Sequence, residues 1–276
     1  MKIIKNTDSL YPKRLLTIKN APKQLYVEGN EILLNKQAIA IVGTRMPSEY
    51  GIKVANEFAK ELSNQNYCVI SGLAQGIDTY AHMGAKCGKG KTIAVLGAGF
   101  NHIYPKQNTK LYQDIIEEGG CIVSEYDPNE EVKPENFPKR NRIISGLAMG
   151  VLIIEARYRS GSSITAKLAI EQNKEIFCVP GNIDKPTSYI PNEYIKNGAF
   201  LVTSAMDIIN YYPIKKEEKN IDEDYKELYQ YINEIPISSN ELCKLTNLSI
   251  ASVNERLIYM EIEGLIKNVA GGYIKI

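Results

Sequence analysis

"NFPKRNRIISGLAMGVLIIEA", residues 136–156, joins a cation-rich opening to two apolar runs of different kinds. Pro138 suits the first position of a helix. At about 100° per residue from there, Ile143, Ile144 and Leu147 fall on one stripe. The run that follows, "VLIIE" (151–155), is apolar at nearly every position instead of at alternate ones. A strand of that kind is covered on both faces, as in a parallel sheet packed between helices.

The same pattern repeats outward in both directions. Strand-like runs occur at "AIAIVG" (38–43), "YCVIS" (67–71), "TIAVLG" (92–97), "CIVS" (121–124), "IFCVP" (176–180) and "AFLV" (199–202). Amphipathic stretches at 51–64, 78–88, 107–118, 138–148, 162–173 and 192–197 lie between most of them. The alternation predicts an α/β fold with an extended Rossmann-like, doubly wound, mostly parallel sheet over residues 38–211. Residues 1–37 fit no such unit and read as a lead-in segment, a short helical piece covering a sheet edge. Residues 212–222, "YPIKKEEKNID", are charged and without apolar period, and read as a linker. Beyond it, helical stretches near 223–233, 238–246 and 250–264 precede "LIKNV" and "GYIKI", two short runs around Gly271 and Gly272. Three helices and a hairpin predict a winged helix over 223–276.

Composition narrows the class. The 276 residues are 44% apolar and 24% charged, as in an ordinary globular protein. No apolar run approaches a membrane span and the charged N-terminus does not resemble a signal peptide, so a cytoplasmic location is expected. The five cysteines are too widely spaced for a CxxC motif and fit reduced core residues; with two histidines they offer no zinc spacing. Net charge is +1. Residues 211–276 carry 8 Lys+Arg against 11 Asp+Glu, or −3, and the rest carry 25 against 21, or +4. A polyanion partner is therefore expected on the large N-terminal part, through a local patch.

The strand ends carry small residues: Gly43 and Thr44, then Ser71, Gly72 and Gly76, then Gly97 and Gly99, then Ser160, Gly161 and Ser162. Such loops either cradle phosphate with backbone N–H groups or merely permit tight strand–helix turns. "GAGFNH" (97–102) satisfies half of the dinucleotide fingerprint, and no Walker lysine pattern occurs, so no nucleotide cofactor is expected. Asp78, Glu125 and Glu155 lie near strand ends, either for acid–base work or as partners of buried arginines; no nucleophile or metal set accompanies them, which favours the second.

The opening cations divide by helical position. Arg140 falls in the middle of the apolar stripe, either paired below the crevice with a carboxylate such as Asp78 or Glu155, or pointing into it. Lys139 and Arg142 fall toward or beyond its edge and are expected to face the crevice with Phe137. Phe137 itself is either a base-stacking platform or a hydrophobic staple on the first turn.

Taken together, "VGTR", "SGLAQGIDTYAH", "VLGAGFNHIYPKQN", "SEYDP", "NFPKRNRIISGL", "IIEARYRSGSSITAKLA" and "VPGN" resemble, in order and spacing, the DprA/Smf family of DNA-processing proteins over about residues 10–210. The resemblance implies a single-stranded DNA-binding protein of natural transformation. It would protect incoming strands, help load the RecA recombinase, and act as a homodimer through its Rossmann-like domain, with no catalytic turnover. DNA-contacting positions carry over as Arg45, Lys106, Phe137 and the basic run Lys139, Arg140, Asn141, Arg142, with Lys133 in the same loop, and the glycine loops would hold strand phosphates. The sequence departs at "SYIPN" (188–192), where Ile190 replaces the family's glycine, and it shows no counterpart of the N-terminal helical domain of some members. The acidic C-terminal part suggests a winged helix that contacts protein and not duplex DNA. Two other readings compete. One is a nucleotide phosphoribohydrolase-like enzyme using Glu155 and "SGSSIT", but that group's glycine signature is absent. The other is a ligand-sensing winged-helix regulator, which would need a more basic recognition helix than "SIASVNERLIYMEIEGL".

Overall fold

Residues 1–37 fold differently from the helical lead-in that the sequence suggests. They contribute β1 (Lys2–Lys5), one turn of helix α1 (Lys13–Leu16) and β2 (Gln24–Gly29). β1 pairs antiparallel with β2, and β2 pairs antiparallel with β6 (Cys121–Ser124), so the segment extends the sheet edge by two strands. It also covers the helix of the opening stretch, α5 (Asn136–Leu147): a Cβ on Gly146 would stand 2.6 Å from Leu15. Lysines at both ends of β1 put charge on the outermost strand, which discourages further pairing.

The computed structural model describes residues 1–214 and 223–275. The central strands are β3 (Ala38–Val42), β4 (Cys68–Ser71), β5 (Thr92–Leu96), β6, β7 (Gly150–Ile153), β8 (Glu175–Cys178) and β9 (Phe200–Leu201). All seven are mutually parallel, in the order β1-β2-β6-β5-β4-β3-β7-β8-β9. Every residue of β3, β4, β5, β6 and β7 is buried, which is why their sequences show no alternation. Connecting them are α2 (Glu49–Asn64), α3 (Ile77–Ala85), α4 (Thr109–Glu117), α5, α6 (Gly161–Glu171) and α7 (Tyr189–Lys196). An eighth helix, α8 (Ala205–Tyr211), was not apparent in the periodicity, being two turns long and started by a Ser204–Asp207 capping box.

α5 begins at Asn136, two residues before Pro138, so the proline lies within the first turn, where its missing N–H is not needed. Ile143, Ile144 and Leu147 are all buried in the core that α5 shares with β3, β4, β5 and the lead-in. Removing one such side chain costs about 2–5 kcal/mol.

The chain divides into two compact units, Met1–Pro213 and Ile214–Ile276. The first two residues of the expected linker, Tyr212 and Pro213, lie in the first unit: the Tyr212 hydroxyl donates to the Met149 carbonyl at 3.1 Å, and the Tyr67 hydroxyl donates to the Tyr212 carbonyl. Most of the expected linker lies outside the described residues. In the second unit α9 (Glu223–Tyr229), α10 (Ser239–Thr246) and α11 (Ile250–Ile262) enclose Leu228, Leu242, Val253, Leu257 and Met260. β10 (Ile266–Val269) and β11 (Gly272–Lys275) form the hairpin wing, and Tyr273 pairs with Ile237 as a third short strand. No helix among the described residues is long and apolar enough to cross a membrane.

Candidate functional site

From β3 the chain winds one way, through β4 and β5 to β6, and then returns past β3 to add β7, β8 and β9 on the other side. Neighbouring loops therefore diverge at the carboxyl ends of β3 and β7. In doubly wound sheets this switch point is where ligands bind. A cleft of about 640 Å³ opens there, bordered by Thr44 and Arg45 after β3, Phe137 and Asn141 of α5, and Arg157 and Gly161 ahead of α6.

Its floor is built from buried polar groups held by protein hydrogen bonds. Arg140 is buried; its guanidinium donates to the Gly72 carbonyl at 2.7 Å, to the Val95 carbonyl, and to Asn141 Oδ1 at 3.2 Å. Asp78, which with Arg140 abuts the position a Cβ of Gly72 would take, accepts from the Gly72 and Ala74 N–H groups at 3.0 and 3.4 Å. Burial lowers the Arg140 pKa to about 10, opposed by the Asp78 charge, and burial raises Asp78, opposed by Arg140. Arg140 is still a cation at neutral pH. Its Nε and Nη1 groups tie it to Asn141 and to the loops after β4 and β5, so its bonded partners are scaffold atoms, while it also lines the cleft. Asn141 likewise links helices, donating to the Gly161 carbonyl at 3.3 Å.

Glu155 is not an arginine partner. Its carboxylate accepts from Ser48 N and Oγ at 2.9 and 2.6 Å and from Thr187 at 3.3 Å, tying the end of β7 to the start of α2. It is buried, lies 2.4 Å from where a Cβ of Gly51 would stand, and does not line the cleft. His82 is buried beneath the floor, bonded through Nδ1 to Thr92 at 2.7 Å, and burial lowers its pKa to about 3. Among the described residues no cluster of His, Cys, Asp and Glu could hold a metal ion.

The mouth is different. Phe137 lies against Gly97, where a Cβ would meet its ring at 2.8 Å, so the glycine exists to seat the aromatic. The Tyr104 ring is 5.5 Å away and tilted, and the Arg45 guanidinium is 6.0 Å from the Phe137 centroid. Arg45 is exposed and makes no ion pair among the described residues. Lys106 is exposed two residues beyond Tyr104. Tyr104 and Arg157 are absent from the sequence-derived site, although "YPK" and "EAR" both contain a signal: a cation next to an aromatic or a strand end.

Other expected members lie elsewhere. Arg142 grips Glu125 through both carboxylate oxygens at 2.6 and 2.8 Å and donates to the Asn20 carbonyl, so it faces the lead-in and not the crevice. Two residues along a helix from Arg140 is about 200° of rotation, which turns it to the opposite side. Lys139 is exposed but does not border the cleft. Lys133 is paired with Glu130.

Most of the small loop residues answer to protein atoms instead of phosphate. The Ser71 hydroxyl donates to the Ile41 carbonyl at 2.7 Å. Gly76 has φ +81° with the Thr44 carbonyl 2.3 Å from its would-be Cβ, and Gly43, Gly72 and Gly99 are abutted at 2.2–2.8 Å. Thr44 is buried and its hydroxyl caps Met46 N. Gly161 alone of these loop glycines has nothing within 4 Å, at the first turn of α6 beside Ser160 and Ser162.

A Rossmann-like sheet whose switch-point cleft is edged by aromatics and an unpaired arginine, in a chain that also carries a winged helix, defines a nucleic-acid-processing class of protein. The comparisons with known proteins specify it. The family described as DNA recombination-mediator protein A matches residues 2–213, and the DprA winged helix domain matches residues 215–272. The chain belongs to the DprA/Smf family. It is 35% identical over 288 residues to Protein Smf of Escherichia coli, covering 99% of this chain and 77% of that one. It is 44% identical over 202 residues to DNA processing protein DprA of Streptococcus pneumoniae, covering 73% and 71%. The crystal structure of the S. pneumoniae protein superposes with a TM-score of 0.72 at 42% identity, over 76% of this chain and 73% of that one. DprA of Helicobacter pylori, whose structure was described for its single-stranded DNA binding mode, gives 0.69 at 31%, over 76% and 94%.

Proposed function

We propose that this DNA-processing protein binds single-stranded DNA across the switch-point cleft. The observation that carries this is the Arg45–Phe137–Tyr104 cluster: an unpaired guanidinium above one aromatic ring and beside another, at the mouth of a cleft and open to solvent. Unstacked bases gain about 1–3 kcal/mol each on such rings, and the guanidinium and Lys106 neutralise the adjoining phosphates. The open first turn of α6 at Gly161 offers backbone N–H groups to a further phosphate. Duplex bases are already stacked and have no free face for Phe137, so the preference is for single strands.

On this reading the protein is a binder and not an enzyme. It protects incoming strands in the cytoplasm during natural transformation and helps load the RecA recombinase on them. A homodimer through the Rossmann-like domain is supported by the exposed edge strand β9, whose Phe200 and Leu201 are 40% and 51% exposed, an apolar edge that a second copy would cover. The deciding test is equilibrium binding to single- and double-stranded oligonucleotides across a salt series, for wild type and Arg45→Glu. Tighter binding to single strands, with a loss of tenfold or more (about 1.4 kcal/mol) and a shallower salt slope in the variant, is expected. Equal affinity for both substrates, or an unaffected variant, would sink the reading.

A further inference from the structure

The loop between β7 and α6 carries aromatic and charged surface that the Phe137 cluster does not use. Tyr158 is 63% exposed, and Tyr189, the first residue of α7, is 49% exposed. Their ring centroids lie 5.6 Å apart, edge to face. The Arg159 guanidinium sits 5.2 Å from the Tyr158 centroid. Arg159 holds a left-handed φ of 55°, which a residue with a side chain adopts only under constraint, and Ser160 N–H closes the turn onto the Arg157 carbonyl at 3.2 Å. The loop is thus a formed turn that presents Tyr158 outward.

Two adjacent, exposed tyrosines, one of them under a guanidinium, repeat the composition of the Arg45–Phe137–Tyr104 cluster. The second set adjoins the first in the chain: Arg157 and Ser160, on either side of Tyr158 and Arg159, line the same cleft as Tyr104 and Phe137. We propose that Tyr158, Tyr189 and Arg159 form a second base-stacking platform, on which a strand leaving the Phe137 platform continues across the carboxyl ends of β7 and β8. The ligand is again single-stranded nucleic acid, because an aromatic face accepts any unstacked base whatever its sequence. On that path Arg157 and the open first turn of α6, which line the cleft, take the intervening phosphates. The inference rests on the single-strand reading above and adds length: the site is two platforms long.

The chain has no tryptophan. Tyr158→Trp therefore places a lone indole reporter on the second platform of the full chain. Titration with oligothymidylates of increasing length should leave its emission unchanged for strands that fill only the Phe137 platform, and quench it for longer ones. The double variant Tyr158→Ala/Tyr189→Ala should lose about tenfold in affinity for long strands and nothing beyond twofold for short ones. Tyr158→Leu/Tyr189→Leu, which keeps apolar volume without the π face, should behave like the alanine pair. An unquenched indole on a saturating long strand, or unchanged affinity of both double variants at every length, overturns the second platform. It leaves the first intact if Arg45→Glu still weakens binding. If wild type shows no preference for single strands, both fall together.

Discussion

The floor of the cleft and its mouth are built from neighbouring residues of one helix, and they follow opposite rules. At the floor, Arg140 is buried with its guanidinium donating to main-chain carbonyls and its charge opposed by Asp78. At the mouth, three residues earlier, Phe137 is half-buried, and the nearby Arg45 is exposed and unpaired among the described residues. A cation whose Nε and Nη1 donors are bound to protein carbonyls is tied to the scaffold first. One held only by an aromatic face keeps its donors free. The difference teaches that a basic motif must be divided by burial before it is read as a binding patch.

The strongest way to break the comparison is Arg140→Ala. Removing a buried charge leaves Asp78 and two carbonyls without their partner, and stability should fall by about 3–5 kcal/mol in denaturant unfolding. Binding per folded molecule should remain; selective loss of binding with stability unchanged would place Arg140 at the mouth. Next is the pH response of the floor. The folded-state pKa of His82 is lowered to about 3 from 6.5, so below pH 6.5 the unfolded chain takes up a proton that the folded one refuses. Its contribution is present above 6.5 and is lost as pH falls toward 3, about 3 kcal/mol between pH 7 and 4. A His82→Asn variant should be less stable at pH 7 and lose less of its stability on acidification; an unchanged slope would refute the assignment.

At the mouth, Phe137→Ala should cost about 1–3 kcal/mol of single-strand affinity with less effect on folding, measured by anisotropy alongside thermal melts. The smallest effect is expected from Arg142→Ala. Its bidentate, partly exposed pair with Glu125 should be worth about 1 kcal/mol of stability, and affinity should hold. A marked loss of affinity there would restore Arg142 to the interface.

The layered fold was largely legible, because the five strands β3 to β7, covered on both faces, are apolar at nearly every position, and two further apolar runs follow in order. The lead-in was not: "QLYVEG" (24–29) is short and mixed, and it becomes a strand only because β6 offers it an open edge. Arg140 was read as falling on the buried stripe, and its helical angle does put it there. Of its partners Asp78 is one the sequence offers, but the Gly72 and Val95 carbonyls, 68 and 45 residues away, are not. Glu155 looked like an arginine partner from its place at a strand end, and was instead taken by Ser48 and Thr187, on loops that only the sheet order brings beside it.

By itself the sequence determined the strand and helix runs, the change of character near residue 212, and the set of small and basic residues at the strand ends. These follow from local periodicity and from steric rules that act over a few residues. Only the tertiary structure decided which cation is scaffold and which is free, which glycines seat protein atoms, and that Tyr104, Phe137 and Arg45 share one mouth. A charged or aromatic side chain takes its role from the acceptors and faces that distant strands bring to it. That information lies in strand order, which no window along the chain contains.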